Sequence, residues 1–454
     1  MLHKNTTLIL TLLFLSVITI AQPLIKQQRT SGGTDDDIFE AMALTADGGF
    51  VAGGISASPA SANKSEDSKG ATDYWILKYD SLGNIEWDKT VGSGGDDFLF
   101  ALQQTADGGY ILGGESAASI SGDKTEASYG DKDFWIVKLD AAGNIEWNKT
   151  FGGSSFENFK ALQQTKDGGY ILGGSSYSNI SGTKTQDSRG RTDFWIVKIN
   201  STGIVQWDKR FGGTKEDELQ SLQQTKDGGY VLGGFSYSQK GGDKTEPNFG
   251  TNDYWVVKTD GNGNKQWDKT IGGNSTDNLH CIKQVADGGY ILGGGSYSGV
   301  SGNKTTAQIG KNDYWLVKLS ATGNILWDKT IGGTSDEELY TLQQTTDAGY
   351  ILGGISFSDI SADKTESSRG KSDYWIVKTD DAGTVQWDKT IGGNDDDYCF
   401  SVYQANRNNY LIGGFSASDI SGDKTNNSIG VGYYDRDYWI VHLRYKVPSV
   451  IARD

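Results

Sequence analysis

Asp167-Gly-Gly-Tyr-Ile-Leu-Gly-Gly174, Asp193-Phe-Trp-Ile-Val-Lys-Ile199 and Ile204-Val-Gln-Trp-Asp-Lys-Arg-Phe211 are the stretches whose reading decides the fold. Each is an apolar or aromatic run of strand length, bounded by Asp-Gly, Gly-Gly or Asn-x-x-Gly turn signals. A fourth run, Phe159-Lys-Ala-Leu-Gln-Gln-Thr165, precedes them. The second and third runs are apolar on consecutive residues, as in strands buried on both faces. The last run alternates: in the copy at Ile145, Trp147, Lys149 and Phe151 share one face with it. Alternation marks the outer, wetter strand.

The unit recurs every 60 residues. Trp75, Trp135, Trp195, Trp255, Trp315, Trp375 and Trp439 occupy the third run, and Trp87, Trp147, Trp207, Trp267, Trp327 and Trp387 the fourth, which accounts for all 13 tryptophans. Self-similarity at a fixed period marks one supersecondary unit stacked into an array. Four antiparallel strands per unit describe a propeller blade. The third run occurs seven times but the Trp-bearing fourth run only six. The missing strand reappears at Leu24-Ile-Lys-Gln-Gln-Arg-Thr30, with Gln27 at the Trp position. The expected fold is therefore all-β, a seven-bladed β-propeller of four-stranded antiparallel blades. The N-terminal strand completes the last blade and removes the exposed edge. Val431 to Tyr434 is an insertion that displaces Trp439 by four residues.

Asp-Gly-Gly-Tyr-Ile-Leu-Gly-Gly, Asp-Tyr-Trp-Ile-Val-Lys and Gly-Asn-Ile-x-Trp-Asp-Lys-Thr-x-Gly-Gly resemble the bacterial secreted β-propeller repeats of SBBP type, as found in exported Bacteroidetes proteins. The resemblance covers residues 24 to 446. It implies the propeller fold and export, and implies no particular ligand. Many such proteins end in a type IX sorting domain. The sequence after Lys446 does not resemble one, which argues against surface display by that route.

The chain has 454 residues and a formal charge of −16. An acidic balance argues against nucleic-acid binding, which draws on basic patches. Lys4 followed by the apolar run Leu8 to Ile20 and by Thr19-Ile20-Ala21 reads as a secretory signal over residues 1–21. That run is too short to span a bilayer. Residues 22–446 then form the propeller and 447–454 a short tail, in a secreted or periplasmic protein expected to be monomeric. Cys281 and Cys399 lie at unequal repeat positions and read as core fillers.

Three repeated features carry whatever chemistry the chain has. A carboxylate precedes each innermost strand: Asp37, Asp97, Glu157, Asp217, Asp277, Glu337 and Asp397. These either ring the channel mouth and attract a hard cation such as Ca²⁺, or cap the backbone of their own turns. A lysine recurs in the long loop: Lys64, Lys124, Lys184, Lys244, Lys304, Lys364 and Lys424. It either presents a multivalent surface to a repeating polymer or orders the loop internally. One position of the innermost strand varies freely: Glu40, Phe100, Lys160, Gln220, His280, Tyr340 and Phe400. It reads either as drift in a wet channel or as an asymmetric ligand site. His280 and His442 stand far apart, and no nucleophile–His–acid or His-rich metal pattern appears. No resident cofactor is expected beyond Ca²⁺. The expected function is non-catalytic binding or scaffolding, for a glycan or other polymer. The alternatives are a polysaccharide-active enzyme using mouth carboxylates and a protein-assembly module.

Overall fold

A computed structural model describes residues 22–430 and 435–445. The signal-peptide reading of residues 1–21, the insertion Val431 to Tyr434 and the tail 447–454 lie outside the described residues. The described chain is all-β, with 28 strands in seven four-stranded antiparallel sheets. Strand β1 (Leu24–Ser31) comes first. The first blade runs outward as β2 (Asp37–Leu44), β3 (Phe50–Ser56), β4 (Asp73–Tyr79) and β5 (Ile85–Val91). Strands β6 to β25, from Asp97 to Ile391, repeat that order five times. The last blade is β26 (Asp397–Asn406), β27 (Asn409–Ser416), β28 (Asp437–Arg444) and β1.

Closure by the N-terminal strand is as the spacing predicts. Thr30 pairs with Trp439 and Gln28 with Val441. Gln27 lies under Gly83 as Trp87 lies under Gly143, and its amide donates to the Leu82 carbonyl at 2.9 Å. Gln28 replaces the fourth-strand Asp: its Oε1 accepts the Trp439 indole N–H at 3.0 Å, as Asp88 accepts that of Trp75.

Local chemistry shapes each hairpin. In the turn after β2, Asp47 Oδ1 accepts from the Thr45 hydroxyl and the Gly49 amide, and Gly48 takes φ +85°. That left-handed backbone favours glycine. The buried Lys78 ammonium braces the turn through ion pairs to Asp47 and Glu86, both at 2.8 Å.

The core lies between blades. The aromatic at the second position of each third strand packs on the third-strand Trp of the next blade, from Tyr74–Trp135 at 5.0 Å round to Tyr438–Trp75 at 5.0 Å. The Tyr74 hydroxyl also donates to the Trp135 carbonyl at 3.0 Å. All seven third-strand tryptophans are fully buried. Each removes roughly 150–250 Å² from water, an upper estimate of about 4–6 kcal/mol. The blades converge toward the axis, which explains the Gly-Gly pair of the second strand. A Cβ on Gly53 would come within 2.7 Å of Leu99 and Leu102 of the neighbouring blade. Cys281 and Cys399 are free, buried thiols in separate blades.

Candidate functional site

Every innermost strand carries a β-bulge, and the bulged residue is the freely varying one. Register shifts between Phe39 and Ala41 in the first blade and at the same place in the other six, down to Cys399 and Ser401. A bulge leaves its extra residue out of the ladder and re-aims its side chain. Here it delivers Glu40, Phe100, Lys160, Gln220, His280, Tyr340 and Phe400 into one central cavity of about 530 Å³. The structure thus brings together all seven residues singled out by their variation.

The cavity is asymmetric. Along one arc His280, Tyr340 and Phe400 form a ring-to-ring series, with centroids 5.2 and 5.1 Å apart. The series continues to Phe415, which stacks on Tyr398 at 5.0 Å. Across from it stand the charged and polar groups. The Lys160 ammonium lies 4.7 Å from the Phe100 ring centre. Burial pushes the Glu40 carboxyl up to about 8, against the opposing pull of Lys160 and Arg436. His280 Nε2 and Glu338 Oε1 are hydrogen-bonded at 2.7 Å, and Asn312 donates to the other oxygen of Glu338.

The rim above the cavity varies as well. The residue just after each second strand is an aromatic in four consecutive blades, Tyr177, Tyr237, Tyr297 and Phe357, and alanine in the rest, Ala57, Ala117 and Ala417. Tyr297 and Phe357 are each 41% exposed. Between them a cavity of about 360 Å³ is lined by Asp336, Glu338, Tyr340 and Ile355. These rim residues do not appear among the sequence candidates. Their variation between repeats was the available signal.

The carboxylate set is placed differently from an open ring at the mouth. Asp37, Asp97, Glu157, Asp217, Asp277, Glu337 and Asp397 are all 0% exposed. Each caps its own turn, as when Asp217 accepts from the Gly213 amide at 2.7 Å and the Ser238 hydroxyl at 3.0 Å. Each also faces the third-strand Asp of the preceding blade. Beyond the effect of burial, Glu157 raises Asp133 by like charge in this way, and Asp277 raises Asp253 in the same relation. The loop lysine of each blade stands beside both kinds of carboxylate, as Lys244 does with Asp253 and Asp217. Burial pushes Asp37 and Asp217 up to about 6 and Asp253 and Asp437 up to about 7. It pulls Lys124, Lys184, Lys244, Lys304 and Lys364 down to about 8. Ca²⁺ needs six to eight oxygens. Two carboxylates with an ammonium beside them do not fit that need, and no group of three or more acidic, His or Cys side chains suited to a metal occurs among the described residues.

The loop lysines are interior groups and present no surface to a polymer. Lys64, Lys124, Lys184, Lys244, Lys304, Lys364 and Lys424 are each only 1–2% exposed. Lys64 donates to the Thr90 hydroxyl at 2.9 Å and the Glu66 carbonyl at 2.8 Å, and Lys304 lies 4.9 Å from the Trp315 ring centre. The Lys-Thr motif therefore ties the long loop to the third-strand Trp and the fourth strand.

Comparison with known proteins leaves the activity unassigned. No protein-family model matches the chain. The regulatory protein FlaEY of Caulobacter vibrioides is 26% identical over 259 residues, 52% of this chain and 27% of that protein. The chain thus matches about a quarter of that relative's length. Three solved structures are similar across most of both chains. A protein of unknown function from Dyadobacter fermentans is 11% identical, with 93% and 99% covered and a TM-score of 0.44. BBS1N, solved in complex with ARL6DN, is 9% identical, with 94% and 98% covered and a TM-score of 0.47. YCF48, bound to a D1 peptide, is 8% identical, with 95% and 100% covered and a TM-score of 0.45. The seven-bladed assignment stands on the chain's own strand pairing. No helix among the described residues is long and apolar enough to cross a membrane.

Proposed function

We propose that this chain is an exported, monomeric, non-catalytic recognition module that takes one asymmetric ligand at the mouth of its channel. One observation carries the reading. Seven nearly identical blades place their varying residues together, on the bulges and on the rim above them, while the groups that repeat are buried. A rigid scaffold that presents variable side chains around one cavity is the usual design of a binding site.

A glycan suits the rim. Tyr177, Tyr237, Tyr297 and Phe357 offer one ring face per blade, and Asp336, Glu338 and Asn312 offer hydroxyl partners beside two of them. An apolar platform with a few polar groups matches a sugar's C–H face and hydroxyls. The buried loop lysines remove the basis for multivalent polymer binding through the loops, so a single site is the form the reading takes. The SBBP-type resemblance supports export. A protein partner is the second reading, favoured by the partial similarity to a protein named as regulatory.

A glycan and polysaccharide array tests this, run with Ca²⁺ and again with chelator. The expected result is binding that is indifferent to chelator and is lost in Tyr340→Ala and Phe357→Ala. Absence of binding in both conditions would reject the glycan and leave the protein reading.

A further inference from the structure

Below the bulge ring, the next channel-facing position of each innermost strand reads Ala43, Gln103, Gln163, Gln223, Lys283, Gln343 and Tyr403. The glutamines have one job. Their Oε1 accepts a backbone N–H of the next blade: Gln103 from Gln164 at 2.8 Å, Gln163 from Gln224 at 2.6 Å, Gln223 from Gln284 at 2.7 Å and Gln343 from Gln404 at 2.7 Å. Ala43, Lys283 and Tyr403 depart from the pattern, and of these Lys283 brings a charge. The equivalent N–H of Gln344 meets a side chain that has no acceptor to offer.

Lys283 is itself unmatched. No described carboxylate, carbonyl or hydroxyl accepts from its ammonium. It lines a cavity of about 320 Å³ with Gln223, Thr341, Gln343, Gln344 and Tyr403, and no carboxylate lines that cavity. The Tyr403 hydroxyl is occupied as a donor to the Met42 carbonyl at 2.7 Å. The Lys283 ammonium and the Gln344 N–H therefore face a space whose acceptors, the Thr341 and Tyr403 hydroxyls and the glutamine amide oxygens, the ammonium does not engage. Burial also lowers the Lys283 pKa, as expected of a cation without a counter-charge. Lys160 stands one ring above, where Glu40, Glu115 and Glu218 balance it, so Lys283 is the cation of the waist without a carboxylate in its cavity.

We propose that the channel waist binds a small carboxylate, held between the Lys283 ammonium and the Gln344 N–H. A carboxylate supplies one oxygen to the N–H that a glutamine would otherwise serve and one to the ammonium, through charge-assisted hydrogen bonds. A cavity of about 320 Å³ admits a simple acid or a single sugar acid. The site is separate from the bulge ring and does not depend on the mouth being the docking surface.

The test uses the intact chain and isothermal titration with acetate, glucuronate and, as the uncharged control, glucose. Wild type binds acetate or glucuronate in preference to glucose. Lys283→Gln restores the residue of the neighbouring blades and so keeps the fold; it weakens the carboxylate by about ten-fold or more. Lys283→Arg retains binding. Equal affinity for acetate and glucuronate assigns recognition to the carboxylate alone, and tighter glucuronate adds its sugar ring. The proposal fails if wild type binds neither acid, if glucose binds as well as glucuronate, or if Lys283→Gln binds like wild type.

Discussion

Asp217 and Gln220 lie three residues apart on one inner strand, and they belong to opposite kinds of ring. Asp217 repeats as a carboxylate in every blade, is fully buried, and sits between the Asp of one neighbour and the Lys of its own blade. Gln220 stands where seven blades carry seven independent choices, on a bulge that faces the cavity. The first set joins blades, so each member is constrained by two neighbours. The second set makes no bond that repeats from blade to blade; its contacts, such as His280 with Glu338 and Lys160 with Phe100, are particular to each position, so its members are free to differ. Repetition marks the scaffold, and variation marks the surface available to a ligand.

The sharpest way to break this contrast is Lys244→Met. It leaves Asp217 and Asp253 buried without their cation, and the expected loss at neutral pH is about 3–5 kcal/mol. Chemical denaturation reads it directly. A Lys160→Met control on the bulge ring should be far milder, and equal losses would erase the distinction.

The pH dependence should be smaller and of definite sign. Asp37, Asp217, Asp253 and Asp437 are held near 6 or 7 in the folded chain, above the ordinary 3.8. Their contribution is complete below about 4 and is lost as pH rises through 6 to 7. The loop lysines stay largely protonated over that range, so they add little slope. His442, held near 4 by burial, pulls the other way, but as a single group. The melting temperature should therefore fall between pH 5 and pH 7, and Asp253→Asn should flatten the fall. A rising melting temperature over the same interval would contradict the buried-pair account.

Gln220→Ala should do least. With no hydrogen-bond partner to lose, it should change stability by no more than about 0.5 kcal/mol in the same denaturation experiment. A larger loss would move the bulge ring into the scaffold.

The blades and their closure were legible because the 60-residue period survives even where the chemistry changes, as Gln27 shows in the Trp position. The bulge was also written in the strand. Phe39 and Met42 are core residues three apart, where an unbroken strand keeps a period of two. Burial of Lys64 and Asp37 was not legible. Charged residues in a loop ordinarily read as surface, and their partners belong to other strands and to the adjacent blade. The donor excess at Lys283 required knowing which N–H the repeated glutamine serves.

The seam between β1 and β28 also sets an order of events. Trp439 reaches its indole partner Gln28 across 411 residues of chain, whereas Trp75 finds Asp88 thirteen residues away. Six blades can each assemble from contiguous sequence as the polypeptide is made. The seventh cannot begin to complete until synthesis has passed Arg444, so a ribosome-bound chain carries an open horseshoe with β1 waiting at its leading end.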